Sequence, residues 1–502
     1  MANVKIARVF TLIVVAAAPA LATEFWNADE LARPFGPPVP PRLGFGYQAP
    51  SYDADEVFAK GCAFIASWQV TDPNDPDYGG IIEGENAQNI VQTDNTEESV
   101  WVWSRLRELT GENTYDAATA RSWIYILNNP AWEEEGWGNP ATQYYRIYVS
   151  AWGMRAEMMY RRATGDTSHQ DYGLACAQYV ADNPIDIDNY LTNGLATAWA
   201  VGNLYAYAED VGDAGLKATA VTMAANLKTW AEAAPGWRIG SYSWAMSGGA
   251  TIWALHESYF REHPAEEASW MAEYGTYLQD LVPPGGNSWD NAWNAWFMLG
   301  HHTVYHATTD EAYWTKFANV AANLVAQDTD NDGGIPPSQA GTEDGDHTWV
   351  TSYMCFMGMD RIIRDLSVQD LASAWAPGEI ALSWDKAYEY GAWGYNVYRE
   401  AVGVPGRPRI NDAPVGGSSP YSFTDNDVSP GNRYRYWLEA QSPSGHSRWQ
   451  GPLDAGTKPA LAYLSLGQNF PNPANGPTTI PFSLAGGGAA VTVQLFDLAG
   501  RE

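Results

Sequence analysis

The feature that most limits what this chain can fold into is a repeat. Short polar turns recur at Thr110-Gly-Glu-Asn, Thr164-Gly-Asp-Thr, Val211-Gly-Asp-Ala, His263-Pro-Ala-Glu and Thr308-Thr-Asp-Glu, in steps of 45 to 54 residues. Between them, apolar and aromatic residues return at three- and four-residue spacing, the helical period, as in Val100-Trp-Val-Trp-Ser-Arg-Leu106 and Trp293-Asn-Ala-Trp-Phe-Met-Leu299. A step of that length holds two helices with their loops. Five such turns predict six helical hairpins, about twelve helices, over residues 54–368. A hairpin cannot bury its apolar face alone, so the units must stack, as an open solenoid or as a closed ring.

Two loops favour closure. Asp328-Thr-Asp-Asn-Asp-Gly-Gly-Ile335, followed by Gly345-Asp-His-Thr-Trp349, has a weaker copy near the start of the array. That copy is Asp75-Pro-Asp-Tyr-Gly-Gly-Ile81, followed by Asp94-Asn-Thr-Glu-Glu-Ser-Val-Trp101. Like loops at the two ends of a helical array predict a ring whose ends meet there. Six hairpins around a centre, with turns such as Ala163-Thr-Gly-Asp-Thr167 and a Gly-Gly-Ile-Pro loop, resemble the (α/α)6 toroids of the six-hairpin glycosidase type. That group also holds polysaccharide lyases and sugar epimerases. The resemblance implies an all-α toroid with its cleft at one rim, and it speaks to fold more than to activity.

The flanking segments differ in kind. Residues 1–22 have the layout of a secretory signal: Lys5 and Arg8, an apolar run Val9–Ala18, and Ala20-Leu-Ala22 as a cleavage site. The apolar run is too short for a membrane span. Residues 23–53 include a Pro-rich leader. Residues 376–456 alternate apolar and polar positions, the strand period, in Ile380-Ala-Leu-Ser-Trp384, Gly394-Tyr-Asn-Val-Tyr-Arg399 and Arg435-Tyr-Trp-Leu-Glu-Ala440. This stretch resembles an all-β fibronectin type III sandwich, with Trp384 in its core and Tyr434, after Ser429-Pro-Gly431, as the corner tyrosine. Residues 463–502 contain Gln468-Asn-Phe-Pro-Asn-Pro473. They resemble the C-terminal sorting domain of the type IX secretion pathway, a partial Ig-like β-domain here, since the resemblance stops at Glu502 short of further strands. It implies the type IX machinery as a partner, and a secreted or surface-attached protein of a Gram-negative-type bacterium.

Charge narrows the partners. The formal net charge is −31, almost all of it before residue 376. So negative a surface excludes nucleic acid and disfavours other polyanions. Only Cys62, Cys176 and Cys355 occur, too few and too odd a set for a disulfide framework, and each lies in an apolar helical run. They read as buried thiols, with Cys62 and Cys355 brought near each other if the ring closes.

In a toroid the chemistry belongs to the loops that enter the inner helices, here roughly 71–95, 130–141, 184–190, 234–246, 282–290 and 328–347. They carry Asp77, Glu83, Glu85, Asp94, Asp186, Asp188, Asp290, Asp346 and His347. Cleaving a glycosidic bond needs one carboxylic acid to protonate the leaving oxygen and a second carboxylate to activate water or attack the sugar. Asp94 and Asp346 are the leading pair, with His347, Asp290 and Asp77 as further catalytic candidates. Asp94, Asp290 and Asp346 also stand where Asp commonly caps a helix. Trp137, Trp237, Tyr242, Trp244, Trp289 and Tyr78 are the candidates for stacking on sugar rings. Trp293 and Trp296 follow a helical stripe and read as core. Asp328-x-Asp330-x-Asp332-Gly333 opens like a calcium loop, but its twelfth position is Gln339, so an EF-hand is excluded. Glu343 or Asp344 are candidates for the missing ligand. The expected function is a glycoside hydrolase. The rivals are a non-catalytic glycan- or protein-binding surface protein and a polysaccharide lyase. The acid pattern lacks the D-x-D-D and repeated QW motifs of terpene-cyclase-like toroids.

Overall fold

The computed structural model describes residues 52–134, 142–184, 191–233, 242–278, 280, 289–339, 345–376, 378–386, 394–417, 419–441, 447–456, 465–466, 468 and 477–483. They fall into two compact units, one ending at Arg364 and the other beginning at Asp365.

The first unit is a closed ring of helical hairpins. Its helices are α1 (Ala54–Ser67), α2 (Thr93–Thr110), α3 (Asp116–Asn128), α4 (Thr142–Thr164), α5 (Gln170–Asp182), α6 (Leu191–Val211) and α7 (Ala214–Ala233). They continue with α8 (Tyr242–Glu257), the short α9 (Tyr259–Glu262), α10 (Pro264–Tyr274), α11 (Asp290–Thr308) and α12 (Glu311–Val325). The last, α13, runs Thr348–Tyr353, widens to π turns over Met354–Met359 and resumes over Asp360–Asp365. Helices α2, α4, α6, α8, α11 and α13 pack in that cyclic order, and α13 returns to α2.

Burial separates the inner from the outer helices. Thr93 to Ser104 of α2 and Asp290 to Tyr305 of α11 are buried at every position, polar residues included. Outer helix α12 buries one face through Tyr313, Trp314, Phe317, Val320, Ala321 and Leu324, the stripe of a surface helix. Five of the hairpins are the predicted consecutive ones. The sixth is split, because α1 packs on α13 and joins the two ends of the array.

The chain's many tryptophans have their place at the ring centre. Trp101, Trp152, Trp199, Trp253 and Trp296 come from successive inner helices, and Phe356 completes the circle. Trp152 and Trp199 have ring centroids 4.6 Å apart, Trp199 and Trp253 4.9 Å, Trp199 and Trp296 5.5 Å, and Trp101 and Phe356 4.7 Å. These tilted and edge-on pairs are the geometry that aromatic quadrupoles prefer.

The two like loops meet as expected. A short antiparallel pair, β1 (Ile81–Ile82) with β2 (Val91–Gln92), holds the first loop. The Glu85 N–H donates to Asp346 O at 3.0 Å, and the Thr348 N–H donates to Glu83 O at 2.9 Å. Gly84 lies so close that a Cβ there would sit 2.4 Å from Asp346 O, so only glycine fits this crossing. Cys355 lies against Gly61 beside Cys62, and all three cysteines are buried and free.

The second unit is a β-sandwich of two three-stranded sheets, ordered β3-β4-β6 and β5-β7-β8. The strands are β3 (Val368–Ala376), β4 (Glu379–Lys386), β5 (Gly394–Ala401), β6 (Tyr421–Asp425), β7 (Arg433–Gln441) and β8 (Ser447–Gly456). Trp384 is buried between the sheets against Tyr395 and Tyr421. The Ser429 N–H donates to the Tyr434 hydroxyl at 2.9 Å. Strand β3 starts before the predicted boundary at 376. A bulge between Gln369 and Ala372, with Asp370 at a φ of 53°, breaks the alternation that would have marked it. Of the 463–502 segment the structure describes little beyond the pair β9 (Ser465–Leu466) and β10 (Phe482–Ser483).

One ion pair spans the junction of the first and last inner helices. Arg105 Nε donates to Asp360 Oδ1 at 2.6 Å, and Asp360 is almost fully buried. Burial pushes the Asp360 carboxyl up, but Arg105, Arg364 and Arg361 outweigh it and hold it below its ordinary range. Asp360→Ala leaves the Arg105 charge buried without this partner and is expected to cost about 3 kcal/mol. The cost is read as a lower urea midpoint of the ring's unfolding at unchanged slope, and a loss below about 1 kcal/mol contradicts it.

Candidate functional site

The first two turns of five inner helices, α2, α4, α6, α11 and α13, converge on one cleft. It has a volume of about 630 Å³ and is lined by Asp94 and Asn95 of α2, Tyr145 and Tyr148 of α4, Leu195 of α6, and Ala292, Trp293 and Trp296 of α11. Trp349 and Tyr353 of α13, with Glu83, Gln92 and Trp289 from the entering loops, complete the wall. Trp289 and Trp349 stand 5.5 Å apart, Trp349 and Tyr353 5.4 Å, and Trp296 and Tyr353 5.7 Å, so one wall is continuous aromatic surface. The hydroxyls of Tyr148 and Tyr353 bond to each other across the ring. No Lys or Arg is among the described residues that line the cleft.

The polar end is made of acids held out of water. Asp94 accepts from the Tyr145 hydroxyl at 2.7 Å and from the Asn95 N–H at 2.9 Å. Burial pushes its carboxyl up to about 7, against the Tyr145 bond that lowers it, and the charges of Glu134 and Glu83 push it further. Behind it on α2, Glu97 accepts from the Tyr172 hydroxyl at 2.6 Å, while neither oxygen of Glu98 meets a donor. Burial raises both carboxyls well above their ordinary range. Glu83 is 7% exposed, and its Oε2 has no hydrogen-bond partner. Asn95 is 2% exposed, and its Nδ2 has none either. Both residues line the cleft, so an acceptor and a donor are left for whatever fills it.

The predicted residues divide clearly. Asp94 and Trp289 line the cleft. Asp346 and His347 sit at the seam beside it and are not among the lining residues. His347 Nδ1 accepts from Trp349 Nε1 at 2.9 Å, and Nε2 bonds Asn86 Oδ1 at 2.7 Å. With Nδ1 already an acceptor, the 3.5 Å approach of Glu83 Oε1 is not an ion pair. Asp346 is 1% exposed, and its N–H donates to Glu85 Oε2. Burial pushes its carboxyl up to about 8, followed by the charges of Asp332, Glu85, Asp330 and Asp328. Asp290 is buried, and its Oδ1 accepts from the Gln339 N–H at 2.7 Å. Asp77 and Tyr78 lie in the half-buried turn of the first loop, away from the lining. Trp137, Trp237, Asp186, Asp188, Glu343 and Asp344 lie outside the described residues, as do the side chains of Tyr242 and Trp244.

One expectation is corrected and another is borne out and extended. Asp94, Asp290 and Asp346 cap no helix: the capping positions are Gln92, Trp289 and His347, and none of these makes a side-chain cap bond. The Thr93 N–H goes instead to Glu134 Oε2 of the neighbouring loop, at 3.2 Å. Trp293 and Trp296 belong to the core and also line the cleft, because the cleft floor is the upper face of that core. Sequence reasoning missed Asn95, Tyr145, Tyr148, Trp349 and Tyr353. Their signal is position alone, in the first two turns of an inner helix.

No protein-family model matches the chain, and no curated protein does. Among solved structures, the GH76A α-1,6-mannanase of Salegentibacter sp. HEL1_6, an inactive variant of which is solved with α-1,6-mannotriose, is similar at 12% identity. The match covers 62% of this chain and 98% of that one, with a TM-score of 0.45. A structure described as a glycoside hydrolase and a GH127 β-arabinofuranosidase are each 9% identical, with 81% of both chains covered and TM-scores of 0.46 and 0.43. Likenesses this distant carry no residue roles across.

A raised Asp94 has a consequence for stability. Its ordinary value is 3.8 and its folded value about 7. The stabilising proton is fully held below the unfolded value and is lost as pH rises through the folded one. Glu97 and Glu98 act in the same direction. The ring is therefore expected to lose stability between about pH 4 and 7, and Asp94→Asn to reduce that loss. Urea unfolding of both proteins at pH 5 and pH 8 checks this. An equal pH dependence in the two contradicts it.

Proposed function

We propose that the ring unit is a glycoside hydrolase acting in this cleft, with Asp94 as the general acid and Glu83 as the partner carboxylate. One observation carries the reading. A carboxyl raised to about 7 and a second, unpartnered carboxylate oxygen share one end of a cleft whose other wall is aromatic. Asp94 then holds its proton near neutral pH and gives it to the glycosidic oxygen. Glu83 Oε2 takes a proton from attacking water, or attacks the sugar itself. Trp289, Trp293, Trp296 and Trp349 offer ring faces and edges for the apolar sides of a pyranose or furanose, and Asn95 Nδ2 donates to a sugar hydroxyl. A uronate-cleaving lyase needs a cation to neutralise the substrate carboxylate, and the described lining supplies none.

The sequence supports the rest of the reading. The residues before the ring resemble an export signal, and the last segment resembles a type IX sorting domain, which makes the protein secreted or surface-attached. The sandwich is taken as a fibronectin type III-like module on the strength of its strand order, the buried Trp384 and the Tyr434 corner bond.

Reducing-sugar release across a panel of neutral glycans tests the assignment. Asp94→Asn and Glu83→Gln are each expected to lower kcat about 10²–10⁴-fold with the fold intact by circular dichroism. Release unaffected by both changes removes these residues from the mechanism. Binding without release on every glycan favours a non-catalytic lectin-like protein.

A further inference from the structure

The seam carries a second group of carboxylates that glycoside cleavage leaves unused. Asp328, Asp330 and Asp332 alternate along the loop that precedes α13, and one oxygen from each lies within 4.8 Å of the other two. The loop is pinned to α1. Asn331, at a φ of 66°, accepts from Lys60 Nζ at 2.7 Å. Gly333, at a φ of 97°, lies against the Lys60 backbone, where a Cβ would come within 2.5 Å. The three carboxylates are therefore gathered before any ligand arrives, at a cost in mutual repulsion.

An independent feature lies beneath them. Asp346 is 1% exposed, and its Oδ1 meets no donor. Its carboxyl packs on Gly334, the second residue after Asp332, on the buried side of the loop. Asp328 Oδ1 is likewise enclosed with no donor. The Asp332 and Asp330 oxygens that accept loop N–H groups are one each, from Gly334 and Asp332, which leaves their other oxygens for a ligand. Among the described residues, Lys60 brings an ammonium to the loop at Asn331, and Glu56 pairs with that same ammonium, so one shared cation faces three carboxylates.

We propose that this loop binds a divalent cation of the calcium class, with Asp328, Asp330 and Asp332 as carboxylate ligands and Asp346 as the buried carboxylate whose charge the ion offsets. The donor set is all oxygen, with no His or Cys in the loop, which suits a hard cation. An irregular loop supplying several carboxylates suits Ca²⁺ better than Mg²⁺, which demands a near-octahedral shell and keeps its waters. Seated there, the ion ties the last loop to α1 and to the start of α13, where the ring closes.

The test is calorimetric titration of the full chain with CaCl₂ after treatment with EDTA, with MgCl₂ as the second arm. One Ca²⁺ per chain is expected, with a dissociation constant of about 1 mM or tighter and a higher melting temperature in its presence. Asp330→Asn, at an exposed position that folding does not need, is expected to weaken Ca²⁺ at least tenfold and to abolish the rise in melting temperature. Asp346→Asn is expected to raise the melting temperature of the metal-free protein. Absence of Ca²⁺ heat in the wild type, or unchanged affinity in Asp330→Asn, overturns the site. Equal affinity for Mg²⁺ overturns its assignment to the calcium class.

Discussion

Everything in the ring unit follows from surrounding its inner helices on every side. A helix in a surface layer can turn its polar residues to water. Helices α2 and α11 cannot, because each is flanked by two inner neighbours, backed by an outer helix and faced by the aromatic centre. Their polar side chains must therefore bond to one another or be left for a ligand. The seam imposes this enclosure. Without the bonds from Glu83, Glu85 and Asn86 to residues 346–348, α2 and α13 would be end helices with an open flank.

Enclosure explains both halves of the cleft. Its floor includes Trp296, a member of the aromatic circle, so at this point the core and the cleft wall are the same side chain. Its polar end is the start of α2, where Asp94, Glu97 and Glu98 are spaced to share one region of the ring interior. Burial is the largest cause of each raised carboxyl, ahead of any single neighbouring charge. The general acid is thus a product of architecture. The same carboxyl one turn before the helix, in open loop, would have nothing to keep its proton at neutral pH.

The hairpin repeat, the ring closure and the meeting of the two acidic loops were legible in the sequence, because helical period and turn spacing are local signals. The first and last rim loops were legible too, since each precedes a predicted inner helix. The partition of residues within the rim was not. Asp94 and Asp346 look alike in sequence, each following a glycine-rich loop and preceding an aromatic helix. One lines the cleft and the other turns beneath the seam. Only the path of residues 82–86 against 345–348, which no local pattern encodes, separates them. Tyr145, Tyr148 and Tyr353 escaped for a related reason. A tyrosine at the first turn of a buried helix packs into the core or points along the ring axis with the same sequence neighbours. The split sixth hairpin was hidden because its halves lie at opposite ends of the array.

Ring closure, by burying Asp94, holds its proton up to about pH 7. Infrared difference spectra of the wild type against Asp94→Asn, recorded through a pH series, read that proton directly from the carbonyl stretch of the protonated acid. A protonated-carboxyl band is expected at pH 5 that disappears with a midpoint near the value of about 7 set by burial. A band already absent at pH 5, the behaviour of an ordinary solvated aspartate, contradicts it.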